Sequence, residues 1–109
     1  MARSRAFTFT LNNPTDEDEV RLLDADTKYL IYGRELAPTT GTPHLQGYIV
    51  FRNARYLKPV KAIIGKRAHI EVAKGSAEQN ITYCKKDGDW NEKGEAPLTQ
   101  AEKGEAEQA

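Results

Sequence analysis

His44 and Gln46 stand two residues apart in a segment of alternating apolar residues. Strand side chains alternate between faces, so Leu45, Ile49 and Phe51 take one face and His44, Gln46, Tyr48 and Val50 the other. An imidazole and an amide oxygen then project together, about 6.6–6.8 Å apart along the strand. Both can converge on one cation. Glu35 ends the preceding apolar stretch, nine residues before His44. If the two strands pair, the loop between them returns the chain so that Glu35 lies beside His44. Two oxygens and one nitrogen suit Mg²⁺ or Mn²⁺, and the imidazole tilts affinity toward Mn²⁺ or a softer ion. The same spacing is also compatible with a partly exposed histidine beside two ordinary polar residues.

A second group lies near the end of the chain. Gln79, Tyr83 and Lys86 are spaced by four and three, so on a helix they share a face. That face differs from the stripe of Ala77, Ile81 and Cys84, which places Cys84 in the core as an inert thiol. A phenol with a pKa near 10 is a poor nucleophile at neutral pH. Neighbouring cations (Lys85, Lys86) and a metal-polarised phosphate lower that barrier. A tyrosine half-packed at a helix–sheet boundary would have the same spacing. Tyr48 either stacks a base from the open sheet face or is a boundary residue. His69 and Glu71 share one face of a later strand, where they support the metal site, contact substrate, or do neither.

These groups need a scaffold. Residues 5–11 alternate as a strand, which Asn12, Asn13 and Pro14 stop. Asp16–Glu19 put negative charge at a helix start, with Val20, Leu23 and Ala25 as its apolar side. Strands follow at 28–35 and 44–51, joined by a loop over 37–43. A helix is predicted over 53–64 through Leu57, Val60 and Ile64, ended by Gly65, then a strand over 68–72. Ser76 caps a helix over 75–87, with Gln79 three residues later as in a capping box. Trp90 anchors a short last strand. The order predicts an α+β fold: a ferredoxin-like or RRM-like antiparallel sheet of four to five strands, helices packed on one face, and an open active-site face. Gly47, on the buried side, is expected to allow close packing against a helix.

Composition narrows the function. A chain of 109 residues holds one domain, not two enzymatic ones. One cysteine excludes an internal disulfide and an all-cysteine metal site, and two histidines exclude an all-histidine triad. No apolar run approaches a membrane span, and the N-terminus does not read as a signal peptide, so an intracellular, soluble chain is expected. Formal net charge is zero, but it is unevenly spread. Residues 52–86 hold nine basic and two acidic residues, while residues 16–35 hold seven acidic and three basic. Such a division steers a polyanion to one side. Residues 1–93 are read as the domain and 94–109 as an acidic tail or the start of a linker.

The motifs, taken together, carry a resemblance. Phe9-Thr10-Leu11-Asn12-Asn13, Pro43-His44-Leu45-Gln46-Gly47 and Tyr83-Cys84-Lys85-Lys86 resemble the three motifs of the replication initiator (Rep) proteins of small circular single-stranded DNA viruses. The circovirus type is the most similar, and His69-Ile70-Glu71 with Ala73-Lys74-Gly75 fits it too. The resemblance covers about residues 5–90. It implies a HUH endonuclease in which Glu35, His44 and Gln46 bind Mn²⁺ or Mg²⁺. Tyr83 is the implied nucleophile, joining the 5′ end and freeing a 3′ hydroxyl to start rolling-circle replication. Lys86 is the implied lysine of the third motif, positioning the phosphate or balancing charge near the phenolate. The implied partner is single-stranded viral origin DNA, a stem-loop with a nonanucleotide loop, in the host nucleus. Thr8, Thr10, Asn12, Tyr48, Arg52, Arg55, Lys58, Lys74 and Lys85 are the candidate DNA contacts. The resemblance also implies a monomeric isolated domain, with a C-terminal helicase domain and oligomerisation in the full-length protein. No GxxxxGK[ST] loop occurs, so ATP hydrolysis is not expected of these residues. The competing reading is a catalytically silent single-stranded nucleic-acid-binding module.

Overall fold

Two antiparallel pairings, one on each side of the central strand, fix the architecture. In the computed structural model, which describes residues 3–97, β1 (Ser4–Asn12) and β2 (Tyr29–Leu36) both pair with β3 (Pro43–Arg55). β4 (His69–Val72) adds to β1 and β5 (Trp90–Gly94) to β2, both antiparallel. The result is a five-stranded sheet in the order β4-β1-β3-β2-β5. Among the described residues three helices, α1 (Asp16–Asp24), α2 (Leu57–Ile64) and α3 (Ala77–Lys85), complete the α+β fold expected from the element order.

Alternation divides the sheet residues between two clusters. Phe7, Phe9, Leu11, Leu30, Tyr32, Leu45 and Ile49 form the larger core with Leu22 of α1 and Val60 and Ile64 of α2. Tyr29, Ile31, Tyr48 and Val50 lie on the other face, where α3 brings Cys84 with Ala77 and Ile81 beside it. α1 and α2 thus share one face. α3 covers the β2–β3 part of the other and leaves the rest of that face open.

Several local expectations are corrected. The segment 53–55 continues β3, and the helix starts only at Leu57, because the strand's pairing with β1 reaches Arg55. In α1 the residue in the core is Leu22, with Leu23 packed at its edge, while Val20 is exposed. The helix is rotated by Asp18, which is buried and closes a capping box with Thr15. Gly47 does not admit a helix. It admits the Phe9 ring of the next strand, which a Cβ would meet at 2.0 Å. The box on α3 forms between Ser76 and Gln79 as read from the sequence. β5 runs to Gly94, and the Glu95 N–H donates to the Lys28 carbonyl. Of the expected tail, residues 98–109 lie outside the described residues.

Candidate active site

Register places the candidate ligands. Glu35 on β2 pairs across the ladder with His44 on β3, which in turn pairs with Asn12 on β1. One row along, Gly33, Gln46, Thr10 and His69 line up across four strands. Directly paired residues share a face of the sheet. Glu35, His44, Gln46, Thr10 and Asn12 therefore belong to one patch, on the same face as α3.

Atomic contacts tighten this patch. His44 Nε2 lies 3.0 Å from Glu35 Oε1. Gln46 Oε1 accepts from the Thr10 hydroxyl at 3.2 Å, which holds the amide with its oxygen toward β1. The other Glu35 oxygen, Oε2, accepts from the ammonium of Lys86. Glu35 is only 8% exposed, so its charge is in a partly desolvated place and carries two polar partners there.

Tyr83 lies on the outer side of α3, and Lys86 is the residue that caps its C-terminus. Tyr83 is 53% exposed. The Lys86 Nζ sits 3.9 Å from the centroid of the Tyr83 ring while pairing with Glu35. One ammonium thus touches both the candidate ligand and the candidate nucleophile. The Lys86 ammonium is itself desolvated, which lowers its pKa, but the bond and charge of Glu35 outweigh this, and the net shift is upward. Lys86 stays a cation. Cys84, on the inner side, is buried as expected. Burial, reinforced by the Glu35 charge, pushes its thiol up to about 12.

The donor set fits a divalent ion. Two ligands at about 2.0–2.1 Å from an octahedral cation, and cis to each other, are about 3 Å apart. Glu35 Oε1 and His44 Nε2 already stand at that separation. Among the described residues no group of three His, Cys, Asp or Glu side chains is assembled; the Gln46 amide oxygen, on the same face, is the candidate third donor.

The remaining sequence candidates divide. Thr8, Thr10 and Asn12 lie on β1 on the same face as the site. Tyr48 is corrected: it lies beneath α3, 5% exposed and edge-on to Tyr29, so its ring is not available to stack a base. Burial also raises its phenol's pKa. Arg52 pairs with Asp26, and Arg55 lies over Phe51. Both stand at the far end of β3, eight or more residues and about 27 Å or more along the strand from His44. Lys58 is exposed on α2, across the sheet from the site. Lys74 follows β4, and Lys85 packs over Trp90. His69 and Glu71 are exposed and 3.3 Å from each other, on the open part of the site's face.

Comparison with known proteins decides the family. A family model described as "Putative viral replication protein" matches residues 4–87. The chain belongs to that viral replication protein family. It is 50% identical over 88 residues to the replication-associated protein of beak and feather disease virus, covering 78% of this chain and 30% of that protein. The replication-associated protein of pigeon circovirus is 43% identical over 91 residues, covering 80% and 28%. Para-Rep C2 of subterranean clover stunt C2 alphasatellite is 40% identical over 88 residues, covering 77% and 31%. The chain is thus a circovirus-like Rep HUH domain, as its motifs implied, and it matches about three tenths of the length of these relatives.

Two parts of the site escaped the motif reading. Gly33 lies under α3, and a Cβ there would stand 2.0 Å from the Cys84 carbonyl oxygen. A glycine inside a run of large strand residues is a known mark of close backbone approach, and Tyr29-Leu30-Ile31-Tyr32-Gly33 carries it. Arg34, on the opposite face, joins Glu19 of α1 to Asp89, just before β5, and its backbone N–H donates to the Asp89 carbonyl at 2.7 Å. That clamp fixes the turn after α3. No motif signals it.

Proposed function

We propose that this chain nicks and rejoins single-stranded DNA with the help of a divalent cation, Tyr83 being the nucleophile. The observation that carries the reading is the meeting of the Glu35–His44–Gln46 patch with Tyr83 and Lys86 at one end of the sheet face. The Tyr83 oxygen attacks the scissile phosphorus and loses its proton. The bond from phosphorus to the 3′ oxygen breaks, and that oxygen leaves as a hydroxyl. The 5′ phosphate stays on the tyrosine as an ester, so the reverse attack by a 3′ hydroxyl rejoins a strand without a nucleotide cofactor. Glu35, His44 and Gln46 would hold Mn²⁺ or Mg²⁺, which supplies Lewis-acid stabilisation of the phosphate charge when bound.

The chain's own residues do the rest. Tyr83 projects from a capped helix, not from a loop, which limits its wander relative to the phosphate. The Lys86 ammonium, 3.9 Å from the centre of its ring, brings a positive charge to the scissile phosphate. Thr8, Thr10 and Asn12 form the floor for the strand, and Lys74 and Lys85 lie on the flanks. The substrate in this reading is the single-stranded loop of a viral origin stem-loop, acted on in the host nucleus. Among the described residues no helix is long and apolar enough to cross a membrane.

A gel assay tests it. Labelled single-stranded oligonucleotides carrying viral origin loops are mixed with the chain and Mn²⁺, beside Tyr83→Phe and beside EDTA. A denaturation-resistant adduct carrying the label 3′ of the cut, formed only by wild type with metal, is the expected result. Binding without cleavage across a broad panel, by folded and metal-loaded protein, would leave a silent binding module instead.

A further inference from the structure

The two oxygens of Glu35 are unequally placed. Oε1 faces His44 Nε2 at 3.0 Å, while Oε2 is held by the Lys86 ammonium. Side-chain exposure is 6% for Glu35, so the carboxylate has little room to turn. Lys86 closes α3, whose backbone is pressed onto β2 at Gly33. The ammonium is thus fixed from both sides, by the helix it ends and by the Tyr83 ring 3.9 Å from it.

We propose that Lys86 is a positioning residue that sets which cation the site accepts. By keeping Oε2, it leaves Glu35 a single oxygen to offer. Mn²⁺ and Mg²⁺ take single oxygens in a small octahedral shell, whereas Ca²⁺ takes six to eight and commonly uses a carboxylate through both oxygens. A site with one imidazole, one amide oxygen and one carboxylate oxygen is poor for Ca²⁺. Freeing Oε2 would make it better. Such outer contacts orient a ligand without touching the metal. The proposal rests on the cation site proposed above and concerns its selectivity, not its existence.

The geometry separates this role from simple charge. Removing a cation beside the site strengthens binding of any divalent ion alike. Only the ratio of two ions reads the number of oxygens offered. Mn²⁺ and Ca²⁺ are therefore titrated separately into the DNA-free chain by calorimetry, using wild type, Lys86→Met and Lys86→Arg. Circular dichroism confirms that each is folded. The expected result is a Mn²⁺ preference in wild type that falls about tenfold or more in Lys86→Met. Lys86→Arg, which can still hold Oε2, is expected to keep the preference. An unchanged ratio in folded Lys86→Met, with both affinities raised together, would overturn the proposal and leave the cation site standing. Failure of wild type to bind either ion, with Glu35→Gln equally silent, would overturn the cation site itself.

Discussion

The Cys84 carbonyl sits directly above Gly33, so close that a Cβ on residue 33 would stand 2.0 Å from its oxygen. This contact sets the height of α3 over the sheet. It therefore sets the distance from Tyr83 and Lys86 to the patch on β2 and β3. Gly33→Ala must lift or tilt the helix, because the obstacle is backbone and not a movable side chain. The expected cost is about 1–3 kcal/mol of stability. A displacement near 1 Å is expected to slow adduct formation about a hundredfold. Thermal unfolding and single-turnover adduct formation, read on the same preparation, check both.

Tyr83→Phe is expected to leave the fold alone. The ring is half exposed, and such positions usually change stability by less than about 0.5 kcal/mol. The covalent DNA adduct should vanish while oligonucleotide binding persists. Mass spectrometry for the adduct and a mobility shift for binding separate the two.

Cation binding should register as stability even without DNA. A ligand at one hundred times its Kd adds about 2.7 kcal/mol to a folded protein that binds it alone. In a domain of this size that raises Tm by about 10 °C or more. Mn²⁺ should produce that rise in wild type and not in His44→Ala or Glu35→Gln, whose side chains form the 3.0 Å pair. EDTA should reverse it. Differential scanning fluorimetry is sufficient.

Asp18 gives the fold an acid limit. Its burial alone would raise its pKa, but the Thr15 backbone N–H, Arg21, Arg67 and the Thr15 hydroxyl outweigh that and hold it well below its ordinary 3.8. A carboxyl depressed in the folded state stabilises fully above its unfolded pKa, and the contribution fades as pH falls toward the folded value. Stability should hold above about pH 4 and decline below it. Asp18→Asn should flatten that decline and cost about 1–3 kcal/mol at neutral pH, since it leaves two arginines without their charge partner. Urea unfolding at several pH values reads it.

Cys84 should be inert in the native chain. With its thiol pushed up to about 12 by burial, almost none of it is the reactive thiolate at pH 8. Iodoacetamide should label it only after denaturant is added. Rapid native labelling would mean that α3 leaves the sheet readily. Intact mass measured over time decides.

Much of this was legible in residue types and spacing. The alternation around His44 fixed which side chains project together, because a strand has only two faces. Glu35 could be added because a short loop returns an antiparallel neighbour. The capping box of Ser76 and Gln79 marked the start of the helix that carries Tyr83. What the spacing did not carry was the third dimension between elements. Tyr48 reads as an open-face residue until α3 is seen to lie over it. Its burial follows from the smallness of Gly33, on the neighbouring strand. In α1, the rotation that buries Leu22 in place of Val20 follows from Asp18 turning inward to meet arginines, one of them 49 residues away. Long-range pairs of that kind leave little trace in local periodicity.

Glu35 and Lys86 are 51 residues apart, and between them lie the central strand, the helices α2 and α3 and the edge strand β4. Contacts so distant in sequence form late, since the chain must first close a long loop. A nascent or partly unfolded chain therefore carries Tyr83 without its neighbours, and such a tyrosine is chemically idle. In the proposed reading, nicking needs β2, β3 and α3 brought together, so the fold itself works as a safety catch.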